Sequence, residues 1–360
     1  MLFPRKNQLV KKNNLKNLWY SIFKIYIQIG LFFYTKKITV VGKEHIPKKG
    51  AVLFAVNHPN GLLDPLLVTT NTPRVTHYLV RAAIFKNPIV KRFLATLNLM
   101  PIYRIRDGVK ELSKNTEIFK ACHDILNKKR ALMIFPEGSH DSRRSIRTLS
   151  KGFTRIVFGA IDAHPHLKIQ IIPVGVTYQQ VSTFPSKVAI HYGTPILAND
   201  FYNPSELNVS VKSIKDAVSA QLKKLSVHIP LDENYEATVQ NLQLHNVDFT
   251  DVETVNHMIQ SGNIPPSPAR INFGKIYKVP FILNSLLPWI LWKVTLKKVD
   301  EIEFVDTFRF GIGISVLPIF YALQTSLIYH FFGGTVSGIY LLISLVIALL
   351  YSKTSTTPPA

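Results

Sequence analysis

The sequence predicts an α/β domain, a mixed sheet flanked by helices, with an interfacial amphipathic helix before it and a transmembrane hairpin after it. Three observations predict this. Short β-rich runs alternate with helical patterns from about residue 38 to 230, as in α/β domains. Phe310 to Ser352 carries no Lys, Arg, Asp or Glu over 43 positions. Leu15 to Tyr34 is apolar on all but one narrow side.

Taken in order, residues 1–37 form the first element. Asn17, Ser21, Lys24 and Gln28 follow steps of four, three and four, so on a helix they make one polar stripe within a mostly apolar circumference. Such a helix lies in a membrane interface. No small-residue cleavage site follows it, so it is not read as a signal peptide. The alternative is a buried core helix.

Residues 38–230 make the α/β domain. Five strands stand out: Ala51–Val56, His77–Val80, Ala131–Phe135, Ile169–Val176 and Lys187–His191, with helical stretches Val109–Asn127 and Lys151–Ala163 between them. Residues 231–262 look helical and polar, and the prolines at 265, 266 and 268 make 263–270 a stiff linker. Within 271–308, Val279 to Trp292 is uncharged for 14 residues but holds Pro280 and Pro288, so it should dip into the interface. Residues 309–353 divide at Gly333-Gly334 into two spans of about 20 residues, each enough for about 30 Å of hydrocarbon. Arg309 and Lys353 then share one side, which the positive-inside bias makes cytoplasmic. The Asn208-Val209-Ser210 sequon is expected to be irrelevant there.

The chain has 360 residues, room for about two domains at roughly 150 residues each. An apolar content of 47% rules out intrinsic disorder. The single cysteine, Cys122, rules out a disulfide scaffold or a Cys-built zinc site. A net charge of +21 favours a polyanionic neighbour: nucleic acid, anionic lipid or a phosphorylated substrate. The first fifty residues hold eleven Lys and Arg against Glu44 alone. No nucleic-acid recognition motif accompanies this charge, and the aromatic residues sit in apolar runs, so no nucleic acid is expected as a partner.

Four places could carry chemistry. The first strand runs into Asn57-His58-Pro59-Asn60-Gly61-Leu62-Leu63-Asp64-Pro65, where α/β sheets present their ligands. Asp64 lies about 240° from His58 on a regular helix, so the two meet only if the segment turns irregularly, as Pro59 and Gly61 allow. A carboxylate on one ring nitrogen would leave the other to take a proton from a hydroxyl. Asp64-Pro65 is equally a helix N-cap and N1 pair. The second place is Phe135-Pro136-Glu137-Gly138-Ser139, followed by Arg143, Arg144, Arg147 and Lys151. Glu137 could accept bonds from substrate hydroxyls, or the segment is a turn with a solvated acid and a basic surface. The third is Pro101-Ile102-Tyr103-Arg104, whose guanidinium could fork a phosphate or make a surface ion pair. The fourth is Pro173 within Ile171 to Gly175, which should mark a sheet edge or a bulge near a site.

As an ordered set these residues resemble the four sequence blocks of the glycerophospholipid acyltransferase family, over roughly residues 40 to 200. The resemblance rests on Asn57-His58 with Asp64, on Phe135 to Gly138, on Lys151-Gly152-Phe153, on Ile172-Pro173-Val174, and on Val188 to Ile196 with Gly193-Thr194-Pro195. The common pattern has four residues between His and Asp; this chain has five, like the fungal-type glycerol-3-phosphate acyltransferase branch, which leaves the acceptor open. The second block keeps an arginine without its usual flanks, so Arg104 and Arg106 compete for its role.

The resemblance implies that His58, oriented by Asp64, is the general base. The base deprotonates a glycerol hydroxyl that attacks the thioester of acyl-CoA or acyl-carrier protein in one step. It also implies that Glu137 and Gly138 position the glycerol phosphate and that Arg104 neutralises its phosphate. Asn57 would support the histidine turn or the developing oxyanion. The basic loop from Arg143 to Lys151 would attract the acidic donor. No cofactor and no metal is expected, and Ser139-His140-Asp141 cannot make a serine triad because neighbouring side chains diverge.

The expected partners are membrane lipids, the acyl donor and a glycerol phosphate acceptor. The expected location is the cytoplasmic face of a bacterial inner membrane, or of the endoplasmic reticulum in a eukaryote. The expected product chemistry is acylation of 1-acylglycerol 3-phosphate, with glycerol 3-phosphate as alternative acceptor. A non-catalytic tether for anionic lipid is the reading from another class, and thioester hydrolysis follows if water replaces the alcohol.

Overall fold

The computed structural model describes residues 6–104, 113–266 and 272–357, with side chains from residue 15 onward. In chain order the helices are α1 (Lys6–Tyr34), α2 (Leu63–Asn71), α3 (Pro88–Thr96), α4 (Asn115–Asn127), α5 (Gly152–Ala163), α6 (Leu207–Leu225), α7 (Tyr235–Leu244), α8 (Val252–Ser261), α9 (Gly274–Asn284), α10 (Leu286–Leu296) and α11 (Val305–Thr354). The strands are β1 (Lys37–Val41), β2 (Ala51–Val56), β3 (Thr76–Arg81), β4 (Leu99–Ile102), β5 (Ala131–Ile134), β6 (Ile169–Tyr178), β7 (Lys187–Tyr192) and β8 (Ile196–Leu197).

They form one mixed sheet in the order β1-β7-β6-β2-β5-β3-β4, with β8 beside β6. The pairs β2/β5, β2/β6, β3/β5, β3/β4 and β1/β7 are parallel, and β6/β7 and β6/β8 antiparallel. Central β2 is buried at all six positions, as a strand covered on both faces must be. Its Ala51, Leu53 and Ala55 face one core with α4, α5 and α6 residues such as Leu126, Phe153 and Ile214. Its Val52, Phe54 and Val56 face a second core with Ile27 and Leu31 of α1, Leu67 of α2 and Phe310 of α11.

Two expectations are corrected here. Pro173 is not on an edge strand: it lies inside β6, between the pairing of Ile171 with β8 and that of Val174 with β7. The change of ladder partner there takes the place of the expected edge. Helix α1 does not simply lie on a membrane, because Tyr20, Ile27, Leu31 and Tyr34 of its inner face are buried on the sheet. Lys24 of the polar stripe also turns inward and donates to the Thr72 carbonyl. Leu18, Ile22, Ile25, Ile29 and Phe32, at alternating steps of four and three, remain exposed on the opposite face.

Helix α11 is long and apolar enough to cross a membrane. Gly333 breaks it with φ of 79° and ψ of 178°, a left-handed backbone that favours glycine. The two halves fold back on each other: near one end Arg309 pairs with Asp306, to which Tyr34 donates, and near the other Lys353 Nζ donates to the carbonyls of Phe32 and Thr35, both at 2.6 Å. Asn284 clasps both halves further along, accepting from Tyr340 at 2.9 Å and from Gln324 at 3.4 Å. Helices α9 and α10 meet at Ser285 with a 97° bend.

Candidate active site

Strands β2 and β5 are parallel neighbours with Ala55 opposite Ile134, so the turns that follow them lie side by side at the carboxyl end of the sheet. His58 is in the first turn and Phe135 in the second, and their rings stack with centroids 3.9 Å apart at 20°. His58 does not share a helix with Asp64. It sits in the loop before α2, and the loop curls back so that His58 Nδ1 and Asp64 Oδ2 are 2.8 Å apart.

Asp64 is fully buried, within the first turn of α2. The N-cap alternative for it is therefore set aside. Asn60 Oδ1 accepts from the amide of Leu63 at 3.2 Å, while Asp64 accepts from the Asn60 amide at 2.7 Å and from the Tyr178 hydroxyl at 2.7 Å. Burial raises the Asp64 carboxyl above its ordinary range, and the bonds from His58, Tyr178 and Asn60 oppose that rise by holding the anion. An imidazole fixed at Nδ1 by a carboxylate can take a proton at Nε2.

These turns lie within the stretch, residues 37–177, that matches the Acyltransferase family model. The chain carries a domain of the acyltransferase family. The matching stretch ends one residue before Tyr178. Over 112 residues the chain is 32% identical to glycerol-3-phosphate O-acyltransferase 2 of Saccharomyces cerevisiae, covering 31% of this chain and 14% of the yeast protein. Over 149 residues it is 30% identical to a protein named "Probable 1-acyl-sn-glycerol-3-phosphate acyltransferase" in Mycoplasma pneumoniae, covering 38% of this chain and 51% of that protein. The chain thus spans about half of one relative and a small part of the other. A crystal structure of the 1-acyl-sn-glycerophosphate acyltransferase of Thermotoga maritima aligns over 58% of this chain and 82% of its own, at 17% identity and a TM-score of 0.45.

In the acyltransferase domain the remaining expected residues fall unevenly around His58. Glu137 is beside it: Oε1 accepts from the His58 amide at 3.3 Å, and Oε2 from Arg147 Nε at 2.8 Å. Arg147 also donates to the hydroxyl of Ser139 at 2.8 Å, fastening the turn to itself. Burial raises the Glu137 carboxyl and the Arg147 charge opposes that rise. Gly138, at φ of 78°, lets the turn close with its amide on the Phe135 carbonyl at 3.1 Å. Asn57 Nδ2 donates to the Val176 carbonyl at 3.0 Å and Oδ1 accepts from the Val176 amide at 2.7 Å. This ties the histidine turn to β6 and uses one of the two Asn57 amide hydrogens. Arg104 lies near enough that its charge, after burial and His58, disfavours protonation of His140. Arg106 lies outside the described residues.

The basic loop is divided between the interior and the surface. Arg144 is turned inward, donating to the Tyr178 and Gln179 carbonyls and stacking on Phe249, and burial pushes it down to about 10. Arg147 pairs with Glu137 in the site wall, whereas Arg143 pairs with Asp141 at the surface and Lys151 is exposed.

Sequence reasoning missed Tyr178, Asn60 and the segment before α11. From that segment Phe304 stands edge-on to His140 at 4.7 Å, and Glu301 lies 3.5 Å from its Nε2. Glu303 accepts from the Ser142 amide through Oε1 at 3.1 Å and from the Gly61 amide through its carbonyl at 3.2 Å. The family blocks stop far upstream of these residues, so the only signal was the presence of acids between two apolar stretches.

Proposed function

We propose that the chain is a membrane-bound O-acyltransferase that moves a fatty acyl group from acyl-CoA or acyl-carrier protein to the hydroxyl of 1-acylglycerol 3-phosphate. Glycerol 3-phosphate, the acceptor in the yeast relative's name, is the alternative, and 1-acylglycerol 3-phosphate is the one in the Mycoplasma relative's name. The observation that carries the reading is the 2.8 Å contact of His58 with a fully buried carboxylate, at the mouth of the turn that also holds Glu137.

In this reading His58 Nε2 takes the acceptor's hydroxyl proton as the oxygen attacks the thioester carbonyl. The C–S bond then breaks and the imidazolium returns the proton to the leaving thiolate, so no acyl-enzyme forms. Asp64 keeps the tautomer correct and stabilises the imidazolium. Arg104, near His140, suits a phosphate-bearing acceptor. Glu137 shapes the pocket through Arg147 and the His58 amide and does not offer a free oxygen pair to the substrate.

Membrane attachment is supported by exposed apolar side chains in continuous sets. Ile319, Leu323 and Leu327 of α11, Ile276, Val279 and Leu283 of α9, and the outer stripe of α1 would otherwise face water. Both ends of the α11 hairpin return to the domain, with Arg309 and Lys353 beside it, which supports a domain lying at one membrane face.

The test uses purified membranes with labelled acyl donor, offered each acceptor separately. His58→Ala is expected to lower acceptor-dependent thiol release by at least about 100-fold. Near wild-type turnover in that variant would overturn the assignment of His58, whereas no acceptor-dependent release by the wild type would favour a lipid tether.

A further inference from the structure

Asp306, at the start of α11, is a buried carboxylate surrounded by donors. Oδ2 accepts from Asn60 Nδ2 at 2.9 Å and from the Ser182 amide at 3.0 Å; Oδ1 accepts from the Tyr34 hydroxyl and from Arg309 Nη1 at 3.3 Å. Asn60 is also fully buried, and its three polar groups divide three ways. The side-chain amide goes to Asp306, the side-chain oxygen to the Leu63 amide, and the backbone amide to Asp64 Oδ2, the oxygen that also meets His58.

We propose that Asp306 is a positioning residue for acyl transfer: from the first turn of the membrane hairpin it fixes Asn60, and through Asn60 the Asp64–His58 pair. The proposal rests on the reading of His58 as the general base. The reason for a carboxylate is the donor count. Four donors converge on Asp306, and an asparagine there would turn two hydrogens toward groups that already donate. The same segment grips both site turns, since a Cβ on Gly61 would lie 3.0 Å from the Phe304 ring, and Glu303 holds Gly61 and Ser142. The hairpin is thus part of the catalytic apparatus as well as an anchor.

The charged and titratable groups around this path are known. Asp64, the His140 ring and the Glu137 carboxylate face His58; Tyr178 faces Asp64; Tyr34 and Arg309 face Asp306; Glu301, Glu303 and Arg104 act on His140. Losing the Asp64 contact frees the His58 ring to turn, so loosening the loop should lower kcat and leave Nδ1 without its fixed partner.

The experiment uses the full chain in lipid nanodiscs, with two readouts. These are steady-state acyl transfer and the rate of diethyl pyrocarbonate labelling at His58 at one fixed pH, read by mass spectrometry of its peptide. For Asp306→Asn we expect kcat to fall at least about tenfold with KM little changed, and the labelling rate at His58 to rise at least about threefold as its ring loses its fixed orientation. Asn60→Asp should do the same, because two carboxylates would then abut, and the double variant should recover at least about tenfold over either single change. A folded Asp306→Asn with wild-type kcat and labelling rate, or a double variant no better than its parents, overturns the proposal. If Asp306→Asn does not fold, Asn60→Ser cuts the same link while leaving the other three donors on Asp306, and unchanged readouts there overturn it. If wild type and His58→Ala release thiol equally, the functional reading fails, and the labelling rate of His58 in Asp306→Asn still decides whether Asp306 governs His58.

Discussion

At the scale of single residues, the site is held by pairs in which a buried charge is matched at short range. Arg147 and Glu137 are one: the carboxylate is almost wholly buried and the guanidinium lies 2.8 Å away. Replacing Arg147 by Met leaves the acid uncompensated, and we expect a loss of roughly 3–5 kcal/mol at neutral pH in urea unfolding. The sign of its pH dependence follows from the raised Glu137 carboxyl. A folded-state pKa above the unfolded one means that stability from this group is present at low pH and lost as pH rises through the folded value. Removing Arg147 raises that value further, so the deficit against wild type should narrow as the medium is acidified toward the ordinary carboxyl range. Of such pairs the sequence makes His58 and Asp64 visible, because they are six positions apart in one loop. Asn60 and Asp306 are separated by 246 positions, and a single contact over that distance leaves no periodic trace.

Elements were legible where a pattern repeats. The five expected strands appear as β2, β3, β5, β6 and β7 with ends shifted by no more than two residues, because β-branched and apolar runs of that length have few other outcomes. Strand β4 has four residues including Pro101, and β8 has two, too short for an alternation to register. Helix α6 contributes Ile214, Val218 and Leu222 to the core at steps of four, yet it also depends on a feature of β6. Its last residue, Leu225, presses its carbonyl against Gly175, where a Cβ would overlap that backbone oxygen. Gly175→Ala should therefore push α6 off the sheet, lowering stability by about 1–3 kcal/mol. Gly262→Ala measures strain at a left-handed position with open space around it, and the two variants should differ in hydrogen exchange within α6.

For the whole molecule, the arrangement predicts which parts meet which side of a bilayer. Cys122 is buried and its thiol is pushed up to about 12 by that burial, so it supplies a silent background for thiol labelling. A membrane-impermeant maleimide applied to intact right-side-out cells should modify Gly334→Cys at the hairpin tip and spare Lys298→Cys until the membrane is opened. The opposite pattern would invert the topology. The contact of Lys353 with the carbonyls of Phe32 and Thr35 has a further consequence, for biogenesis. The ammonium neutralises the carbonyl end of α1, a helix emerging from the ribosome more than three hundred residues before its partner. Until residue 353 has been synthesised the carbonyl end of that helix lacks this partner, so the contact closes only after every strand of the sheet has been made.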